Sequence, residues 1–321
     1  MKVLVTGGAG YIGSALVEKL INQGHQVNVI DDLSNGFLEN INIKATFFKG
    51  SILDDKLLNK ALLGVEVVFH LAAKIRVEEG EVLPELYQEV NVDGTLKILE
   101  LCNSMGIKKF IFASTAAVYG EPSDYPVNES SVTNPVNVYG RTKLEIDQYL
   151  AKNAASLGLS SISFRFFNVA GAVQSADKRW LKIKHEGATH LIPSILRSSE
   201  SSPLLIYGND WPTKDGTPIR DFVHISDLVD ALVLALAKAD SVGSEVINLG
   251  TSIGSTVLEV AKAAEVALKR KIYFQIAPHR PGDSFALVTS NSKARQLLNW
   301  NPTRDILKIL EDANAEFKSN N

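Results

Sequence analysis

The chain has 321 residues, beyond the roughly 250–300 at which a single hydrophobic core stops growing, so a large unit with a smaller companion is expected. Its residues are 45% hydrophobic and 21% charged, which excludes a disordered or fibrous protein. With 33 Lys and Arg against 36 Asp and Glu the net charge is −3, so a broad basic surface for nucleic acid or an anionic membrane is excluded and any anionic ligand must be held by local groups.

The opening residues Met1-Lys2-Val3-Leu4-Val5-Thr6 run into glycines before a signal-peptide apolar region could form, and no stretch reaches the roughly 18 apolar residues of a membrane span. A cytoplasmic location is therefore expected. The first half alternates short β-branched runs with longer helix-period stripes. Strands are predicted at 3–6, 26–31, 46–49, 65–70, 109–114 and 161–166, with helices at 11–23 and 83–103 and Gly24 capping the first helix. Such alternation builds a doubly wound parallel sheet of Rossmann type, with helices on both faces. Cys102, the only cysteine, falls in the apolar helical pattern 96–105 and reads as a buried, inert thiol. No intramolecular disulfide can form, which fits a reducing compartment.

After Phe167 the alternation breaks into loops rich in Gly, Pro and Asp, notably 208–220, before a strand at 221–225, a helix at 226–239 and a further return to the main sheet at 246–249. The expected division is 1–167 with about 220–250 as the dinucleotide-binding domain, and about 168–219 with 251–321 as an interleaved substrate domain.

Residues Thr6-Gly7-Gly8-Ala9-Gly10-Tyr11-Ile12-Gly13 follow the first predicted strand and open the first predicted helix, the context that a dinucleotide-binding turn requires. Glycines there allow a tight turn, close approach of backbone N–H groups to a pyrophosphate, and helix–strand packing. Asp31 ends the second strand near the offset at which an acidic side chain meets the adenosine ribose. A carboxylate there accepts bonds from a 2′-hydroxyl and repels a 2′-phosphate, so the cofactor expected is NAD. Tyr139 and Lys143 share one face of a helical pattern, where an ammonium can stabilise a phenolate and make a proton acceptor. The strand 109–114 runs into Thr115, at the carboxyl end of a parallel sheet where ligands bind. The six histidines, His25, His70, His185, His190, His224 and His279, show no metal-ligand spacing, so no metal is expected.

The glycine turn with Thr115, Tyr139 and Lys143 in this order resembles the extended short-chain dehydrogenase/reductase family, also called the NAD-dependent epimerase/dehydratase family, over essentially the whole chain. Further segments are similar to its sugar-nucleotide 4-epimerases: Asp31-Asp32-Leu33-Ser34-Asn35-Gly36, Phe69-His70-Leu71-Ala72-Ala73, Asn91-Val92-Asp93-Gly94-Thr95, Phe166-Phe167-Asn168-Val169-Ala170-Gly171-Ala172, and a long Pro212-Thr213-Lys214-Asp215-Gly216-Thr217 insertion. The resemblance implies 4-epimerisation of a UDP-hexose, UDP-glucose to UDP-galactose and back, through a transient 4-keto sugar, with Thr115, Tyr139 and Lys143 catalytic. It implies that NAD is held by Gly7, Gly10, Tyr11, Ile12, Gly13, Asp31, Asp32, Asn35, Ser51, Ile52, Leu71, Ala72, Ala73, Asn91, Ser114, Tyr139, Lys143 and Phe166. It implies a UDP-sugar site of Thr115, Tyr139, Asn168, His190, Leu191, Leu205, Tyr207, Arg220, Arg280, Asp283 and Leu287, and a homodimer.

Three positions depart from the family pattern. Ser51 stands where a carboxylate often meets adenine, His190 where Asn is common, and Leu287 where a bulky aromatic excludes N-acetylated sugars, so 2-acetamido substrates stay open. A dehydratase or decarboxylase on the same fold is the first rival, but the acid–base pair that follows Thr in dehydratases is here Ala116 and Ala117. A non-catalytic NAD-binding protein is the second, since fold alone does not establish function.

Overall fold

The β-branched runs and helix-period stripes of the first half form the elements they predict, in a computed structural model that describes residues 1–280 and 282–320. Pro281 and Asn321, which belong to the expected 251–321 segment, lie outside the described residues. The first strands are β1 (Lys2–Thr6), β2 (Gln26–Asp31), β3 (Thr46–Lys49), β4 (Val67–His70), β5 (Lys109–Thr115) and β6 (Ser160–Phe166). Between them run α1 (Tyr11–Asn22), α2 (Asp55–Leu62), α3 (Val77–Val82), α4 (Pro84–Tyr87), α5 (Gly94–Ser104) and α6 (Val138–Asn153). The second half adds β7 (Asn168–Ala170), α7 (Leu191–Arg197), β8 (Leu204–Tyr207), β9 (Ile219–His224), α8 (Ile225–Val242), β10 (Glu245–Leu249), β11 (Gly254–Thr256), α9 (Val257–Leu268), β12 (Phe274–Ala277), β13 (Ala286–Leu287), α10 (Ser292–Leu298) and α11 (Ile306–Asn320).

Seven strands pair in parallel in the order β10-β6-β5-β4-β1-β2-β3. The chain winds one way from β1 to β3 and the other way from β4 to β10, so the order reverses between β1 and β4, where such sheets open a crevice at their carboxyl ends. Apolar cores cover both faces, as continuous apolar strands demand. Leu16, Val17 and Leu20 of α1 pack with Leu228, Leu232 and Leu236 of α8 on one face. Leu58 of α2, Ile98 and Cys102 of α5, and Ile146 and Leu150 of α6 pack on the other. A third core joins α7, α9 and α11 to β8 and β9 in the smaller lobe.

Some elements differ from the sequence expectation. Gly24 does take the left-handed position after α1, with φ +84° and its N–H on the Ile21 carbonyl at 2.9 Å. The helix expected at 83–103 is present as a continuous helical run of α4, a π turn at Gln88–Asp93 and α5, so only the π turn departs from the expectation. There the Asn91 side chain turns inward and brackets the Lys74 backbone, accepting from its N–H at 2.8 Å and donating to its carbonyl at 3.0 Å. The strand expected at 221–225 is β9, and it joins a four-stranded sheet with β7, β11 and β13 rather than the main sheet. The buried Asp221 carboxylate draws it there by accepting the N–H groups of Thr251 (2.7 Å), Ser252 (2.9 Å) and Thr289 (3.3 Å). β10 alone returns to the main sheet, as its edge strand.

Candidate active site

A cleft of about 1310 Å³ opens along the carboxyl ends of the central strands. Pockets that hold one drug-sized ligand run to roughly 300–1,000 Å³, so this cleft is larger than the usual single-ligand site. One end is formed by the glycine turn. Gly7 lies at φ +70°, and a Cβ there would stand 2.8 Å from the Ala72 nitrogen, while a Cβ on Gly13 would collide with the Gly7 carbonyl oxygen. At Gly10 a Cβ would meet nothing closer than 3.3 Å. Packing therefore explains the first and third glycines, and the second keeps the N-terminus of α1 bare. That helix has no side-chain cap and no acidic residue in its first turn, which leaves its orphan N–H groups and positive dipole end to a phosphate. This backbone fits a dinucleotide.

Asp31 reaches the turn from the end of β2, its carboxylate accepting from Ala9 N–H at 2.9 Å and Leu33 N–H at 2.8 Å. Burial raises its pKa, against the pull of those two N–H bonds. Each carboxylate oxygen keeps a lone pair for a ribose hydroxyl. Tyr11 and Ile12 also line the cleft, with the Tyr11 hydroxyl donating to Gly171 O at 2.7 Å. Asp32, Asn35, Ser51, Ile52, Leu71, Ala72, Ala73, Ser114 and Phe166 complete this end. The Ser51 hydroxyl accepts from Leu53 N–H at 3.1 Å, so it closes its own turn in place of the carboxylate common in the family. Asn91 does not line the cleft; it acts one layer back, through Lys74 and the Thr142 hydroxyl at 3.1 Å.

At the other end α6 is capped by Asn137, whose side chain accepts from Gly140 N–H at 2.8 Å, and the first turn so fixed carries Tyr139. Thr115, at the end of β5, hydrogen-bonds the Tyr139 hydroxyl. Lys143, only 2% exposed, donates to Ala113 O at 2.8 Å and lies 4.6 Å over the Phe112 ring. The electrostatics differ from the expectation that a neighbouring ammonium lowers the tyrosine. Burial pushes Tyr139 up to about 12, with Thr115 pulling back, and draws Lys143 down to about 7, with Asp147 opposing. The dry pocket penalises both charges. Beneath it His70 is fully buried between the hydroxyls of Thr6 (2.7 Å) and Thr95 (2.8 Å), and burial followed by Lys143 brings it to about 3, so it stays neutral.

Of the expected sugar-nucleotide residues, Asn168, His190, Leu191, Arg280, Asp283 and Leu287 line the cleft. Burial lowers the His190 pKa, Glu78 opposing and Arg280 adding, so a neutral imidazole stands where Asn is common. Leu287 pairs with Arg220 in β13·β9 and packs against the buried cluster that contains Ala116, Tyr119 and Phe167 while lining the cleft, so it is both core and wall. Tyr207, Arg220 and Leu205 stand behind the wall. The Arg280 guanidinium stacks 3.8 Å from the Tyr207 ring centre, Arg220 reaches Asp283 at 3.4 Å, and Leu205 is 46% exposed on β8.

Sequence reasoning missed the segment 182–189, which walls the cleft. Asn40 holds it by a two-way amide pair with the Lys182 backbone, at 2.8 and 2.9 Å, and Glu316 of α11 accepts from Ile183 N–H at 3.0 Å and pairs with His185 at 2.6 Å. Contacts spanning more than a hundred residues leave no local pattern to read. Among the described residues no group of three His, Cys, Asp or Glu is placed to hold a metal ion, and no helix is long and apolar enough to cross a membrane.

Residues 3–250 match the model of the NAD dependent epimerase/dehydratase family. The UDP-glucose 4-epimerase of Streptomyces lividans is 38% identical over 317 residues, covering 97% of this chain and 94% of its own. The UDP-glucose-4-epimerase of Stenotrophomonas maltophila, solved with bound NAD and formylated UDP-arabinopyranose, superposes with a TM-score of 0.94 at 33% identity, over 99% of this chain and 98% of that one. A UDP-N-acetylglucosamine 4-epimerase from Methanobrevibacter ruminantium, in complex with UDP-N-acetylmuramic acid, superposes at 0.87 with 31% identity over 99% and 98%.

Proposed function

The chain belongs to the NAD dependent epimerase/dehydratase family, and on that premise we propose that it interconverts UDP-glucose and UDP-galactose by inverting C4 through a transient 4-keto sugar. The observation that carries this reading is the placement of Thr115, Tyr139 and Lys143 on the wall of the same cleft that the glycine turn closes at its far end. Gly7, Gly10 and Gly13 would hold the pyrophosphate of NAD, Asp31 the adenosine ribose, and Leu71, Ala72 and Ala73 the strand-end side of the cofactor. NAD, when bound, supplies the hydride acceptor and then the hydride donor at C4.

Tyr139 takes the C4 hydroxyl proton and later returns it, so the chain needs no net acid or base. Thr115 steadies the reacting oxygen and, through its bond to the Tyr139 hydroxyl, favours the ionised phenol. Lys143 supplies positive charge to the same pocket. Arg280, on the cleft wall against the Tyr207 ring, would hold diphosphate oxygens while the sugar turns, and Arg220 would support it from behind the wall by holding Asp283. Ala116 and Ala117 line the cleft beside Thr115 and supply no acid–base pair for elimination.

Purified protein given UDP-glucose and no reductant should form UDP-galactose, resolved by NMR, and should carry NAD as isolated. Absence of both would overturn the reading. Leu287 leaves space where the family's aromatic stands, so UDP-N-acetylhexosamines belong to the proposed substrate range. Leu287→Tyr should suppress UDP-N-acetylglucosamine turnover more than UDP-glucose turnover; equal losses would detach Leu287 from sugar selection. A cytoplasmic location, supported by the lone buried Cys102, and a homodimer are part of the same proposal. Light scattering that returned a monomer mass would remove the dimer.

A further inference from the structure

Three residues spaced one helical turn apart on α6, Tyr139, Lys143 and Asp147, meet three consecutive residues at the end of β5. Tyr139 bonds Thr115, Lys143 donates to the Ala113 carbonyl, and Asp147 accepts from the Ser114 hydroxyl at 2.9 Å. Asp147 is 2% exposed, and the same carboxylate oxygen accepts from Arg165 Nε at 2.9 Å. Arg165 lies opposite Ser114 in the β5·β6 register, and Asn248 lies opposite Arg165 in β6·β10. Arg165 also donates to the Tyr119 hydroxyl at 2.9 Å, which donates to Asn248 Oδ1 at 2.8 Å. Tyr119 closes the tight turn Ala116–Tyr119 that follows Thr115 directly. A polar rail thus crosses three strands beneath the triad.

Only Ser114 of this rail lines the cleft, so Asp147, Arg165, Tyr119 and Asn248 act through other residues. Packing does not call for such a pair. A buried ion pair repays its desolvation poorly, and well-packed apolar residues of similar volume are often as stable or more so. What the pair does here is tie β5 to α6 where the reacting groups face each other.

Resting on the epimerase reading, we propose that Asp147 is a positioning residue of the 4-epimerisation, holding the end of β5 against α6 through Ser114 and setting a negative charge one helical turn from Lys143. The groups facing Lys143 are Tyr139 and Asp147 on its own helix, neutral His70 from β4, and the Ala113 carbonyl and Phe112 ring from β5. Behind Asp147 stand Arg165 from β6 and Tyr119, with Glu129 accepting from Asn248 N–H at 2.8 Å. Of these, Asp147 opposes the effect of burial on Lys143.

The test follows two readouts in the NAD-loaded enzyme: the pH profile of UDP-glucose turnover and the titration of the Lys143 ε-carbon resonance by NMR. Asp147→Asn should move the Lys143 titration, and with it the alkaline limb of kcat, down by about one pH unit, a roughly tenfold loss on that limb, with KM unchanged. Asp147→Glu should return both toward wild type. Ser114→Ala keeps the charges and cuts the tether, so kcat should fall several-fold with the Lys143 titration in place. Coincidence of the Asp147→Asn titration with wild type overturns the proposal. If Asp147→Asn does not fold, Ser114→Ala decides, and wild-type kcat there overturns it. A wild-type enzyme without epimerase activity would instead sink the functional reading, and the NMR titration would still report on Asp147.

Discussion

Tyr139 sits where ionisation is costly, raised to about 12 by burial, and the bond from Thr115 is the one influence working against that cost. On the proposed reading, the chemistry depends on a hydroxyl held in place rather than on one that is acidic beforehand. Tyr139→Phe keeps the ring and removes the oxygen, so kcat should fall by roughly 10²–10⁴ while NAD stays bound; near-normal turnover would remove Tyr139 as the proton acceptor. Lys143 makes a prediction independent of activity. Its folded pKa, about 7, lies below the ordinary lysine value of 10.5, so between these values the unfolded chain holds the proton and the folded chain does not. Stability must then rise with pH across that window, and the burial penalty is fully present below about pH 7. In protein stripped of NAD, Lys143→Met should raise Tm at neutral pH, and the gain should vanish above the window. A gain that does not change with pH would contradict the buried ammonium.

Among the elements, α6 and α11 do the most for the site by different routes. The α6 N-terminus, capped by Asn137, presents Tyr139, Lys143 and Asp147 along one stripe to β5. α11 comes from the far end of the chain and closes the cleft wall at a distance, its fully buried Glu316 accepting from the Ile183 backbone and pairing with His185. Glu316→Gln weakens charge-assisted bonds by about 1.5 kcal/mol, so NAD should leave roughly tenfold faster, while turnover at saturating NAD is retained. An unchanged NAD release rate, measured by stopped-flow fluorescence, would show that the 182–189 wall does not depend on the α11 contact.

At the scale of the whole molecule, the cleft lies between the seven-stranded sheet and the lobe built on α7, α9 and α11, and its lining is drawn from both. A ligand there bridges the two and stabilises the folded form by mass action. NAD at a hundred times its Kd adds about 2.7 kcal/mol, so stripping it should lower Tm by on the order of 5 °C. Equal melting with and without NAD would place the cofactor elsewhere or nowhere.

What the sequence determined by itself is whatever local pattern encodes. Apolar runs and helix-period stripes marked β1 to β6 with few boundary shifts, the glycine spacing marked the tight turn between β1 and α1, and the four-residue step from Tyr139 to Lys143 marked a shared helix face. These signals are written within a few neighbours, as period, propensity and turn geometry are. The tertiary structure decided the rest: that β9 leaves the main sheet for Asp221's partners, that helix 83–103 widens into a π turn where Asn91 holds Lys74, and that Asn40 and Glu316 fix the cleft wall. It also decided the charges, because burial moves Tyr139 and Lys143 in directions that the ammonium–phenol spacing alone does not show. The reason is common to all of these: hydrogen bonds and desolvation depend on which distant residues exclude the water, and neither the partner nor the dryness of a site is carried by the residues beside it in the chain.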